Sequence, residues 1–543
     1  MKRKHINFLF ILALLLLAAC ERAEAGLPQE EPSEVKEKSP SSVWVAPYLP
    51  KSLSAALQLP ETLYQVEAKT GADFWIDVGA DHPLTEWVYV LAAPFPTVTD
   101  ELRLADLRAF WAGEELPEFP VSQLIMDGNT KGVLEKLWGN ASLTAVKAVD
   151  AKDLLSSAWE GKAIWAILPW EDLQPRWKVI ALDGQSPLHK SFNANAYGLK
   201  VPFSIFAREE TGQDALQNLI SGADGLLLPA SNRDAGKLTT VVLTGVTALV
   251  RATASTMERK GMTYPAIDIG DMLRDADILH ISNEIPFTAT CPKPGMNRAK
   301  EDNLIFCSRP DYIQLLEAIG TDVIELTGDH FRDWGADAMR TTLEMYNERS
   351  WPYYGGGMDI DDAMQPVLFE HNGNKIAFIG CNAKPRGYST VSATTPGALH
   401  CDMEAMAEVV QDVIAQGYLP IFTFQHLEYY AYYINKNLVD DFEKAAAAGA
   451  VIVSGSQAHQ PHGFQFYRDA TLHYGLGNLF FDQFNEGFPM RQAFIDRHVF
   501  YDGRYISTEL ITIMFIDYAR PRYMTADERL DLLSTVFSAS GWK

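Results

Sequence analysis

The stretch Val323–Gly335, VIELTGDHFRDWG, is a short apolar run that ends at a glycine and is followed by Asp329, His330 and Asp333. A run of this length, rich in β-branched residues and preceded by the helix-like DYIQLLEAIG, predicts a buried parallel strand. Its polar residues then sit at the strand's C-terminal edge, where open α/β sheets bind ligands. The pattern recurs along the chain. DILHI (Asp277–Ile281) runs into Asn283 and Glu284, and PIFTF (Pro420–Phe424) into Gln425, His426 and Glu428. VIV (Val451–Val453) runs into SGSQAHQPH, with His459 and His462, and VVL (Val241–Leu243) into Thr244 and Gly245. Helices expected at Asp311–Ile319, Ala336–Tyr346, Asp402–Ala415 and Val439–Ala448 complete right-handed βαβ units. An α/β fold with carboxylates and imidazoles gathered at one edge of a sheet is therefore expected.

Carboxylates and imidazoles that converge are what a one- or two-metal hydrolytic site requires. They hold a divalent ion, which acidifies bound water and clamps developing charge. His426 or His459 taken singly is more often a hydrogen-bonded structural residue; both at strand ends beside Glu284 and His330 favour ligation.

The N-terminus reads as a signal segment over 1–19: Lys2, Arg3 and Lys4 precede an apolar stretch from Ile6 to Leu17, and Leu17-Ala18-Ala19-Cys20 has a lipobox ending. Cleavage before Cys20 would leave an acylated, membrane-anchored protein facing outside the cytoplasm. Residues 20–42 are dense in Glu, Pro and Ser and form a disordered tether. The remaining chain, from a sequence 47% apolar, is too long for one core. A boundary at SNRDAGK (Ser231–Lys237) divides it into 43–235 and 236–520, with 521–543 as a C-terminal extension. The formal charge of −24, which becomes −27 when Lys2, Arg3 and Lys4 leave, argues against nucleic acid as a partner. Besides Cys20 there are four cysteines, an even number that fits an oxidising compartment. Each of two irregular stretches is bracketed by a pair, so Cys291–Cys307 and Cys381–Cys401 are the expected disulfides.

Two resemblances follow from quoted motifs. Trp87–Glu114 (WVYVLAAPFPTVTDELRLADLRAFWAGE) and Ala163–Leu188 are similar to blocks of the phosphate-type periplasmic solute-binding proteins, which implies an α/β solute-binding-like domain over 43–235. Farther on, SNEIPF (Ser282–Phe287), TGDHFRDWG (Thr327–Gly335), QHLEYY (Gln425–Tyr430), SGSQAHQPHGFQFY (Ser454–Tyr467) and LHYGLGNLFFDQ (Leu472–Gln483) resemble, in order, the motifs of the capsule-synthesis CapA family. That family includes the poly-γ-glutamate capsule proteins and has a calcineurin-like metallophosphatase fold.

The resemblance implies a layered α/β metallophosphatase-like domain that binds a divalent ion (Mn, Zn or Mg) through Glu284, Asp329, His330, His426, His459 and His462. His330 is then the general acid, beside Asp333, and Asn283, Glu428 and Asn478 are placed to meet substrate. The implied partners are an anionic envelope polymer or its precursor and capsule-synthesis proteins. Departures are also visible. Val246 stands where the family has its first Asp, Ser282 replaces an Asn, Asp329 another Asn, and Ala458 a Gly. Valine cannot bind a metal, so a single-metal or rearranged site is expected, with Val246 lining the cleft. The other reading, of a different class, is a non-catalytic envelope protein that binds a polymer or an assembly partner through a degenerate site.

Overall fold

Twelve residues, Pro83–Pro94 (PLTEWVYVLAAP), form a strand buried along nearly its whole length, and the first domain is built around it. In the computed structural model, which describes residues 40–161, 163–221, 225–295, 304–387 and 389–542, it pairs antiparallel with Lys200–Ala207, Ile164–Pro169 and Trp177–Leu182. A strand so short of polar residues requires cover on both faces. Helices supply it, among them Gly128–Trp138, whose first turn is fixed by the Asp127 carboxylate accepting from the Thr130 N–H. The ten-stranded sheet runs Leu63–Val66, Ser41–Val45, Phe74–Val78, Lys200–Ala207, Pro83–Pro94, Ile164–Pro169, Gln123–Met126, Val146–Ala148, with Trp177–Leu182 and Glu101–Leu102 to one side. The signal segment, Cys20 and the tether up to residue 39 lie outside the described residues. Among the described residues no helix is long and apolar enough to cross a membrane.

The second domain holds a two-stranded sheet, Gly356–Gly357 with Gly397–Ala398, and two large sheets. One is nine-stranded and centred on Leu238–Leu243, which pairs parallel with Ile278–Asn283 and antiparallel with Gln492–Tyr501; the other is six-stranded and centred on Asn374–Asn382, Leu419–Gln425 and Ile452–Ser454. Side chains alternate across each strand, so both sheets carry two apolar faces. Val241, Ile278 and Val323 of one meet Phe378, Ile421 and Ile452 of the other in a shared inner layer. Outside, Leu279, Ile281 and Ile324 pack under Met339 and Leu343 of the helix Gly335–Glu348. Phe422 and Phe424 pack under Val410 and Phe442 of the helices Met403–Ala415 and Lys436–Ala448. The result is helix, sheet, sheet, helix. The expected strand ends therefore come from two facing sheets and not from one: Ile278–Asn283 and Val323–Glu325 from the first, Leu419–Gln425 and Ile452–Ser454 from the second.

Both disulfides have the expected pairing, Cys291–Cys307 and Cys381–Cys401. Residues beyond 520 are integral to the fold. Pro521–Tyr523 pairs with Arg504–Phe515, and the helix Ala526–Ala539, opened by a Thr525/Glu528 capping box, buries Leu533 and Phe537 against Phe95 of the first domain.

Candidate metal centre

Two neighbouring strand ends of the nine-stranded sheet bring Glu284 and Asp329 together. Glu284 follows the strand Ile278–Asn283, and its N–H donates to the Thr247 carbonyl at 3.0 Å. Leu326 to Asp329 follow Val323–Glu325 and cross so close beneath Glu284 that a Cβ on Gly328 would lie 2.9 Å from the Glu284 Cα, which is why only glycine serves there. The crossing sets Glu284, Asp329 and His330 so that one ligand atom from each lies within 4.8 Å of the others.

The second sheet contributes Gln425. Its Nε2 donates to Asp329 Oδ1 at 2.8 Å and reaches Glu284 Oε1 at 3.5 Å, while its Oε1 accepts from the Asp329 N–H at 2.6 Å. Asn382 donates to the same Gln425 oxygen and to the Thr327 carbonyl, both at 2.7 Å. Lys384 bridges Asp329 and Glu428 at 2.7 and 2.6 Å. A cavity of about 300 Å³, lined by Leu304, Asp329, His330, Lys384, Ser389 and His400, opens onto this corner.

Electrostatics follow from burial and pairing. Glu284 is 1% exposed, its Oε2 has no hydrogen-bond partner among the described residues, and burial pushes its pKa up against the fields of His459 and His330. Burial also works against the charged Asp329, but Lys384 and His330 outweigh it and hold its carboxyl below the usual range. His330 keeps its proton up to a pKa of about 9: burial opposes the charge, and the hydrogen bond to Asp333 together with Glu284 and Asp329 more than compensates. That bond, Nδ1 to Asp333 Oδ2 at 2.8 Å, leaves Nε2 as the ring's other donor position, the arrangement carboxylates impose on ligating histidines. Asp333 is itself held by the Phe306 N–H at 2.7 Å, and the Phe306 ring lies 4.7 Å from His330.

The other expected residues fall differently. His459 lies nearby, its Nδ1 hydrogen-bonded to Asn478 Oδ1 at 2.9 Å, and its field reaches Glu284 and Glu428. His426 does not join the cluster: its Nε2 pairs with Asp441 of the helix Lys436–Ala448 at 3.0 Å, on the outer face of the second sheet. His462 does not either. Stacked 3.9 Å from Tyr429 and set between the Tyr474 and Tyr429 carbonyls, it is a buried packing residue whose pKa burial pushes down to about 4. Asn283 is fully buried and ties Ile285 and Tyr346 together, and Asn478 is fully buried behind His459, so neither faces a substrate; Glu428 does lie beside the cavity's Lys384. Val246 does not line an open cleft but is sealed in an apolar cluster with Ala248, Ile285, Phe306 and Phe481.

Sequence reading passed over Gln425, Asn382 and Lys384. The first was legible: Ile421 faces the inner layer and Phe422 and Phe424 face the helices, so two-residue alternation turns Gln425 inward and His426 outward. Asn382 ends, and Lys384 follows, a strand with no acidic or imidazole signal of its own.

A divalent ion fits the donors present. They are two carboxylates and an imidazole oriented by a carboxylate, and one buried carboxylate oxygen lacks any partner among the described residues.

Comparison with known proteins agrees on the second domain. Residues 240–483 match the family described as bacterial capsule synthesis protein PGA_cap. The capsule biosynthesis protein CapA of Bacillus anthracis is 23% identical over 261 residues, 47% of this chain and 62% of that protein. The PGA biosynthesis protein CapA of Bacillus subtilis is 23% identical over 173 residues, 32% of this chain and 45% of that one, so this chain spans less than two thirds of either relative. Among solved structures, a 5'-nucleotidase precursor of Thermus thermophilus shares 12% identity at a TM-score of 0.32 over 56% of this chain and 59% of its own. A phosphate transport receptor of Vibrio cholerae shares 11% at 0.28 over 33% and 91%; at these scores neither carries an argument. Over residues 240–483 this chain is therefore similar to the bacterial capsule synthesis proteins.

Proposed function

We propose that this chain is a lipid-anchored cell-envelope protein of capsule synthesis whose second domain binds one divalent ion, Mn, Zn or Mg, and hydrolyses an anionic envelope polymer or its phosphorylated or amide-linked precursor. The observation that carries it is the convergence of Glu284, Asp329 and His330, with Glu284 Oε2 buried and unpartnered among the described residues. Glu284, Asp329 and His330 would hold the ion, with His459 beside them. When bound it would supply Lewis acidity and lower the pKa of a water. Asp333 fixes the His330 ring, Gln425 Nε2 bridges the Glu284 and Asp329 carboxylates, and Lys384, paired with Asp329 and Glu428, lines the cavity. A single ion is favoured because apolar packing around Val246 takes the place where a second would need a carboxylate.

Elemental analysis and calorimetric titration with manganese and zinc test this. About one ion per chain is expected for the wild type, with Glu284→Gln weakening binding at least tenfold. A wild type that takes up no metal would sink it. The second reading, a non-catalytic polymer-binding protein, is favoured by Lys384, which already neutralises Asp329 and Glu428. If that reading holds, Lys384→Met creates metal affinity that the wild type lacks. The anchor is proposed at Cys20, with capsule-synthesis proteins as partners and no role for nucleic acid. Cys20→Ser moves the protein from the membrane to the soluble fraction, and continued membrane fractionation would refute the anchor.

A further inference from the structure

Between the two domains lies a cavity of about 490 Å³, larger than the one at the metal centre and separate from it. Its size is that of small-molecule sites, which favour domain interfaces. The first domain supplies Asp100, Lys178 and His189 to its wall, and the second supplies Arg497, Glu509 and Arg529. Apolar groups complete the lining, with Phe95, Leu533 and Phe537 drawn from the aromatic cluster that joins the domains. The pocket is thus preformed on a fixed base. Lys178 and Glu509 lie deep in the molecule yet keep 15% and 25% of their side-chain surface accessible, because they face this space.

The charged groups are not equally engaged. Arg529 forks onto Asp100 at 2.7 and 2.9 Å and also donates to the Leu510 carbonyl. Lys178 binds Asp100 and the Thr97 carbonyl, both at 2.7 Å. Glu509 is shared between His189 at 2.8 Å and Arg497 at 3.4 Å. For the Arg497 side chain that 3.4 Å contact, the long end of a hydrogen bond, is the single hydrogen bond or ion pair among the described residues, although it is only 15% exposed. A guanidinium presents five donors in a planar fork that matches carboxylate and phosphate oxygens. So nearly buried, it gains most from an anion that replaces the water it has lost.

We propose that this cavity is a second ligand site, for a small amphipathic molecule whose carboxylate or phosphate head pairs with Arg497 while its apolar body lies along Phe95, Leu533 and Phe537. The site is independent of the metal centre and of the reading given to it.

Calorimetric titration of the full chain with octanoate and octyl phosphate separates the two heads on one tail, and 1-octanol presents the tail alone. Binding of at least one of the anions at about one per chain, with a raised Tm, is expected. Arg497→Met keeps the stem and removes the fork, and should weaken that binding about tenfold or more. Ala181→Phe fills the cavity from another wall and should abolish it, and manganese uptake at Glu284 should be unchanged in both variants. The proposal is overturned if neither anion binds, if 1-octanol binds as tightly as they do, or if both variants bind like the wild type.

Discussion

At the scale of single residues, one position of strand parity decides what the candidate centre is made of. QHLEYY opens on two adjacent polar side chains, and of these Gln425 faces Glu284 and Asp329, whereas His426 is spent on Asp441. A family motif locates the segment but not the side chain within it, because a one-residue slip turns every group to the other face of a sheet. Gln425→Ala should therefore weaken metal binding by about tenfold or more, as removal of an orienting partner does. His426→Ala should leave it within about twofold, since a partly exposed ion pair such as His426–Asp441 is worth about 1 kcal/mol at most. Titration of both variants with manganese checks this, and a loss confined to His426→Ala would restore the histidine to the centre. Glu284, Asp329 and His330 were legible because each ends an apolar run, whereas Lys384 was not, because its effect depends on reaching across to Asp329 from a neighbouring loop.

At the scale of elements, the strands and helices of the second domain were readable from apolar runs and helical spacing, and the cysteine count gave the disulfides. What the sequence did not disclose is that the strands divide between two sheets, since pairing is a long-range property and each run is equally apolar in either. The disulfides now acquire positions relative to the centre. Cys307 adjoins Phe306, whose N–H holds Asp333 and whose ring packs on His330; Cys381 adjoins Asn382, which holds Gln425. Each bond thus braces one side of the centre. Replacing Cys291 and Cys307 by serine should lower stability by about 3 kcal/mol in the chain-entropy account. It should also weaken metal binding, because the Phe306 contact is no longer tethered. Urea unfolding and manganese titration of the double variant measure both, and unchanged metal affinity would show that Asp333 and His330 are positioned without the bridge.

At the scale of the molecule, the two domains seen in the sequence do not have separate interiors. Leu238, Val499, Tyr501 and Ile506 of the second domain lie in the same apolar core as Val90, Leu91 and Ile180 of the first. On the other side Phe95 meets Phe464, Phe537 and Trp542 at ring distances of 5.6 to 6.2 Å. The segment read as a C-terminal extension thus closes the interface, a role that composition cannot reveal because a docked amphipathic helix and a free one share the same pattern. Cores that are continuous should open together, so the wild type is expected to unfold in one calorimetric transition with tryptophan fluorescence, which reports mainly on the first domain, and metal release, which reports on the second, coinciding. Phe537→Ala removes a ring that is 5% exposed, and should cost about 3–5 kcal/mol while shifting both probes. If fluorescence keeps its wild-type midpoint while metal release moves, the domains are energetically separate, and the helix Ala526–Ala539 stabilises the second domain alone.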